Sequence, residues 1–116
     1  MTLLQVNYER ALPHDDEEQA TALRHAAQAI SGLPGLIWKI WLYDDDAHVA
    51  GGLYLFDSEA NARRWGDGPM ETALGSHPGI GRIDKRYFAV DAELSAVTGA
   101  QPTLAPAPLA ARSGGS

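Results

Sequence analysis

GLIWKIWLYDDDAHVAGGLYLF, residues 35–56, carries two apolar runs on either side of an acidic turn. Counting alternate positions, Leu36, Trp38, Ile40 and Leu42 project from one side of the first run. Ile37, Trp41 and Tyr43 project from the other. In the second run the division is Leu53 and Leu55 against Tyr54 and Phe56. A strand with one wet face alternates apolar with polar residues, and neither run does. Asp44, Asp45 and Asp46 form the polar loop of the hairpin, which lacks the further ligands a calcium loop needs. The hairpin therefore calls for cover on both of its faces.

Working outward, residues 2–9 set Leu4, Val6 and Tyr8 against Gln5, Asn7 and Glu9, the period-2 pattern of a half-buried strand. From Asp15 or Asp16 onward, Ala20, Leu23, Ala27 and Ile30 make an apolar stripe at helical spacing, closed by Gly32 and Pro34. The acidic cluster Asp15–Glu18, with His14 beside it, sits where a helix N-terminus favours negative charge. Its consecutive carboxylates cannot converge on a metal from one helical face. Asp57 or Ser58 caps a second helix running through Trp65, Pro69 starts a short helical piece, and residues 80–90 supply a fourth strand. A short helix over 92–98 completes the order. Strand-helix-strand-strand-helix-strand is the ferredoxin-like α+β arrangement, a four-stranded antiparallel sheet with its helices on one face. The domain is expected over residues 1–98, with an Ala/Pro/Gly/Ser-rich flexible tail over 99–116.

The chain's own helices cover one sheet face, so the second apolar face needs a partner. Each large side chain left wet forgoes about 1.5–3 kcal/mol, and a second copy packed sheet to sheet is the simplest cover. A homodimer is expected. With 116 residues the chain makes one domain, and its net charge of -6 opposes binding to nucleic acid or to anionic lipid. It has no cysteine, hence no disulfide, thiolate ligand or Cys nucleophile. No signal peptide and no membrane-spanning run is read, so a cytoplasmic location is expected.

The run PGLIWKIWLYDDDAHVAGGLYLFDSE, residues 34–59, resembles the YdhR-like monooxygenases of the dimeric α+β barrel superfamily. The likeness extends to the opening TLLQV and the closing FAVDAELS, and so covers roughly residues 2–97. It implies the homodimer and an oxygenase activity. The second helix is also similar to that of the cofactor-independent antibiotic-biosynthesis monooxygenases, whose helical Asn and Trp lie in the substrate pocket. Here Asn61 and Trp65 stand four apart, on one helical face.

No P-loop, HExxH, CxxC or triad signature is present, and no two of His14, His25, His48 and His77 are spaced as metal ligands on one element. Gly51 and Gly52, inside a strand, read as a bulge or a close backbone approach. A cofactor-free oxygenase needs an apolar pocket, a group to remove a proton and donors that hold the resulting anion. Such an anion itself reduces O₂, so no cofactor is expected. Trp65 and Trp38 are candidate pocket walls, with Trp41 and Tyr87 as further substrate contacts. Asn61, Tyr54 or Arg86 are candidate donors, and His77, on a loop beside the cavity, is the candidate base. Lys39 and Arg86 equally read as surface charges. The expected activity is oxidation of a small aromatic or polyketide-like substrate. A cofactor-free isomerase or cyclase, or a non-catalytic dimeric binding module, would use the same cavity.

Overall fold

The computed structural model describes residues 1–100; most of the 99–116 tail lies outside the described residues. The elements are β1 (Thr2–Arg10), α1 (Glu17–Ser31), β2 (Leu36–Asp44), β3 (Val49–Phe56), α2 (Glu59–Gly66), α3 (Pro69–Gly75), β4 (Ile80–Ala89) and α4 (Ala92–Val97). Local chemistry sets the helix ends. Asp16 accepts a hydrogen bond from the Gln19 amide, Ser58 from the Asn61 amide and Asp91 from the Leu94 amide, each satisfying a free N–H of a first turn. Pro69 occupies the first turn of α3, where a missing N–H costs nothing.

The antiparallel sheet runs β2-β3-β1-β4. Cross-strand partners share a face, so the register sorts side chains into rows. One face carries Lys39–Tyr54–Leu4–Tyr87, Trp41–Gly52–Val6–Lys85 and Tyr43–Ala50–Tyr8–Ile83. Here α1, α2 and α3 pack, and Leu4, Val6, Phe56, Ala62 and Met70 are buried between the layers. The opposite face carries Trp38–Leu55–Leu3–Phe88 and Ile40–Leu53–Gln5–Arg86.

The hairpin departs from the simple alternation in one respect. Leu36 pairs with Phe56 while Trp38 pairs with Leu55, so β2 carries an extra residue between them. The bulge turns Leu36 to the helix-covered side, where it packs on the core, and leaves Trp38, Ile40 and Leu42 on the other. The second apolar face is real: Ile40 is 46% exposed and Phe88 41%.

The last helix also differs from a sheet with all its helices on one side. α4 lies toward the second face, where Ala92 and Ala96 border a cleft with Leu3, Trp38, Leu55 and Phe88. Its Leu94 and Val97 face solvent.

The α2–α3 junction is tied to β4 by charge. Lys85 Nζ donates to the Gly66 carbonyl (2.7 Å) and pairs with Asp67 (3.0 Å) and Glu71 (2.6 Å). Tyr87 Oη donates to Asp67 Oδ1 (2.6 Å), and the Arg63 guanidinium lies over the Tyr87 ring. At the other end, Arg10 and His14 both engage Asp45, fixing the hairpin loop against the end of β1.

Candidate functional site

Between the sheet and its three helices lies a cavity of about 160 Å³. Val6, Tyr8, Gly52 and Tyr54 form its floor and Lys39 and Trp41 its side; Leu23, Ala26 and Ile30 of α1, Trp65 of α2 and Met70 and Leu74 of α3 close it above. The lining is mostly apolar and aromatic, which suits a small organic ligand. Gln19 and His77 line it too, and both also border a surface cleft with Leu12 and Pro78, which puts them on the side toward solvent.

Lys39 brings a charge into this apolar space. Its Nζ donates to Tyr54 Oη at 2.9 Å and lies 3.3 Å from the centroid of the Trp41 ring and 4.4 Å from that of Tyr54. Burial disfavours the ammonium and lowers Lys39 from 10.5 to about 7. Gly52 makes room for it: a Cβ there would stand 2.7 Å from Lys39 Cε and 2.9 Å from the Ile40 carbonyl oxygen. The glycine pair thus serves close approach, Gly51 in turn lying against the Val6 carbonyl.

Burial also pushes the Tyr54 hydroxyl up to about 12, and the Tyr8 phenol adds to the rise. The Trp65 indole N–H, turned toward that hydroxyl, opposes it in part. It does so without hydrogen-bonding geometry, because Trp65 Nε1 is buried and has no acceptor among the described residues. Gln19 Oε1 is likewise buried without a donor among the described residues. Buried polar atoms nearly always have partners, so a donor and an acceptor stand unused in the lining of one cavity.

The structure brings Trp65, Tyr54, Trp41 and His77 together around this space. Trp38 and Arg86 are not brought there: the β2 bulge and the alternation of β4 place both on the opposite sheet face. Asn61 and Trp65 do share a helix face, but the Asn61 amide donates to Asp57 Oδ1 at 2.8 Å and packs on Gly35, bracing the entry to α2. Tyr87 packs against the core from β4, with its hydroxyl committed to Asp67 and held up to about 12, chiefly by burial and then by that bond. Lys39, which the sequence offers as a surface charge, is instead drawn into the cavity by burial of its side chain. Its parity with Trp41 and Tyr43 was the available signal, but the side facing the helices was not known from alternation. Among the described residues no group of three His, Cys, Asp or Glu side chains is placed to hold a metal ion.

Solved structures of the same fold include the ActVA-Orf6 monooxygenase of Streptomyces coelicolor in complex with nanaomycin D. It is 19% identical, with a TM-score of 0.58 over 77% of this chain and 86% of that one. SnoaB, a cofactor-independent oxygenase from Streptomyces nogalater, is 17% identical with a TM-score of 0.55, covering 78% and 93%. The haem degrader MhuD of Mycobacterium tuberculosis, with two haems bound, is 18% identical with a TM-score of 0.55, covering 77% and 95%. At these identities the likeness establishes the fold. No curated protein sequence matches the chain. A model of the family described as "Putative mono-oxygenase ydhR" matches residues 3–101, most of the chain. Together with the sheet order and the cavity under the helices, that match makes the chain a member of the ydhR mono-oxygenase family.

Proposed function

We propose that the protein is a cofactor-independent monooxygenase that oxidises a small electron-rich aromatic or polyketide-like compound in the cavity between sheet and helices. The observation that carries this is an apolar aromatic enclosure holding an unused indole N–H beside a buried amine and a phenol. Once deprotonated, such a substrate supplies all four electrons itself: a phenol with a free para C–H takes up O₂ to give the quinone and one water. The protein's share is to exclude water, take the proton and hold the anion.

The cavity's size favours one ring. At about 160 Å³ it resembles an engineered apolar cavity of about 150 Å³ that takes benzene. A fused-ring substrate needs more, and Trp41 is placed to supply it, since it lies between this cavity and a neighbouring cleft of about 360 Å³ lined by Tyr43, His14 and Ala27. His77, on the solvent side, is the route by which the proton leaves. The second sheet face, with Trp38, Ile40, Leu42 and Phe88, is the homodimer interface in this proposal, and Arg86 belongs to it rather than to the cavity.

The test is oxygen consumption over a panel of phenols, naphthols and anthrones, using protein dialysed against chelator and free of flavin absorbance. Uptake matching product, reduced about tenfold or more in Trp65→Phe at unchanged melting temperature, supports the proposal. Equal turnover under nitrogen would make the protein an isomerase or cyclase. Binding without turnover would make it a carrier module.

A further inference from the structure

We propose that Lys39 and the Trp65 indole N–H form a phenolate site: the Lys39 amine takes the proton of a bound phenol, and the resulting ammonium and the indole N–H hold the phenolate oxygen. This deepens the monooxygenase proposal and rests on its choice of cavity.

Four observations converge on it. Lys39 Nζ lies in the lining of an apolar cavity, its only hydrogen-bond partner in the described residues being the Tyr54 hydroxyl. Among the described residues no carboxylate lines that cavity, so there its positive form has aromatic faces but no counter-ion. An anion brought by a ligand completes the charge balance. Trp65 Nε1 is a donor, buried and unused, in the same lining. Gln19 Oε1 is an unused acceptor there, which matches a ligand bearing a second O–H.

The proton balance is simple. A neutral phenol and a neutral amine become a phenolate and an ammonium, with no oxidant or further reactant. The amine is available for this near neutral pH because burial lowers Lys39 to about 7, the range in which a general base works best. Other groups facing the space are Tyr8, Tyr54 and Arg10 from the sheet and His77 from the loop after α3; α1 contributes only the uncharged Gln19 among its polar side chains. Arg10 is engaged with Asp45 and the tyrosines are held neutral by burial, so neither takes the proton from the phenol; His77, on the solvent side, receives it only on its way out.

The experiment uses 4-nitrophenol, whose phenolate absorbs in the visible and whose phenol does not, added to the full chain at about pH 6, where the free probe is mostly neutral. The expected result is a phenolate band on binding, equal to an apparent pKa lowered by at least about one unit, a tenfold shift. Lys39→Met should bind the probe as the neutral phenol, and Trp65→Phe should weaken the band several-fold. 4-Nitroanisole, which has no proton to give, should bind wild type and Lys39→Met alike. A nitrogen NMR titration of wild type at about pH 8, where Lys39 is mostly the neutral amine, supplies a readout that needs no variant: the Lys39 Nζ resonance should move to the ammonium position when the probe binds. Binding without a phenolate band, a band retained in Lys39→Met, an unmoved Nζ resonance or no binding of 4-nitrophenol each overturns the phenolate site. Oxygen uptake that persists alongside such a failure leaves the monooxygenase proposal standing, while a phenolate band without uptake by any substrate rejects that proposal alone.

Discussion

Replacing Lys39 with methionine should make the folded protein more stable at neutral and acidic pH and change nothing at high pH. Methionine has nearly the same length and no charge. In wild type, burial lowers Lys39 from 10.5 to about 7. Each unit is worth about 1.36 kcal/mol, so the cost of the buried ammonium has an upper bound of about 5 kcal/mol. The Trp41 and Tyr54 rings, 3.3 and 4.4 Å away, return about 1–2 kcal/mol. The hydrogen bond to Tyr54 returns about 1 kcal/mol. A net cost of about 2–3 kcal/mol remains after both. The sign follows from proton binding. Between the folded and unfolded values the unfolded chain holds more protons on this group, so stability rises with pH across that window. Below about 7 both states carry the proton and the full cost is present; above 10.5 neither does and the cost is gone. Urea unfolding of wild type and Lys39→Met at about pH 6 and about pH 10 measures the difference free of the other titrations, which the two proteins share. The expected gain is about 2–3 kcal/mol at the lower pH, shrinking toward zero at the higher. A difference independent of pH, or a less stable variant at about pH 6, would refute the placement of this amine in an apolar space.

Gly52→Ala puts a methyl 2.7 Å from Lys39 Cε and 2.9 Å from the Ile40 carbonyl; the lysine stem yields but the backbone does not, so a loss of about 1–3 kcal/mol is expected by thermal unfolding, and an unchanged melting temperature would contradict it. Asn61→Ala should lower stability by about 1 kcal/mol, because it removes the bond to Asp57, while leaving turnover nearly intact; a fall in turnover at unchanged stability would bring Asn61 into the chemistry. Ile40→Asp, on the exposed sheet face, should give a monomeric mass by light scattering at micromolar concentration. A dimeric mass in that variant would remove the face from the interface.

Much of the fold was legible in the chain. The alternation of Leu4, Val6 and Tyr8, the capping side chains of Asp16 and Ser58 and the Pro69 restart are local signals, and local structure follows them. The family likeness was legible too, in the two tryptophans and the glycine pair of the hairpin. What alternation could not show was the extra residue between Leu36 and Trp38, because a bulge is a property of strand pairing and not of either strand. That single residue decides which hairpin side chains face the helices. Trp38 falls outside the cavity for that reason, and Lys39 is identified as lining it only once the register is known. Arg86 shows the same limit on β4, where every second residue faces away from α2 and α3. Asn61 illustrates another: a shared helix face does not fix a side chain that finds a nearer partner in Asp57.

The central claim is that this cavity is where a substrate meets O₂. Turnover of an accepted phenol or anthrone under heavy-isotope O₂, with the product read by mass spectrometry, tests it most directly. The expected result is one labelled oxygen in each product molecule and the other in water, lost together with activity in Trp65→Phe. Product carrying no label, or formed at the same rate without oxygen, would contradict it.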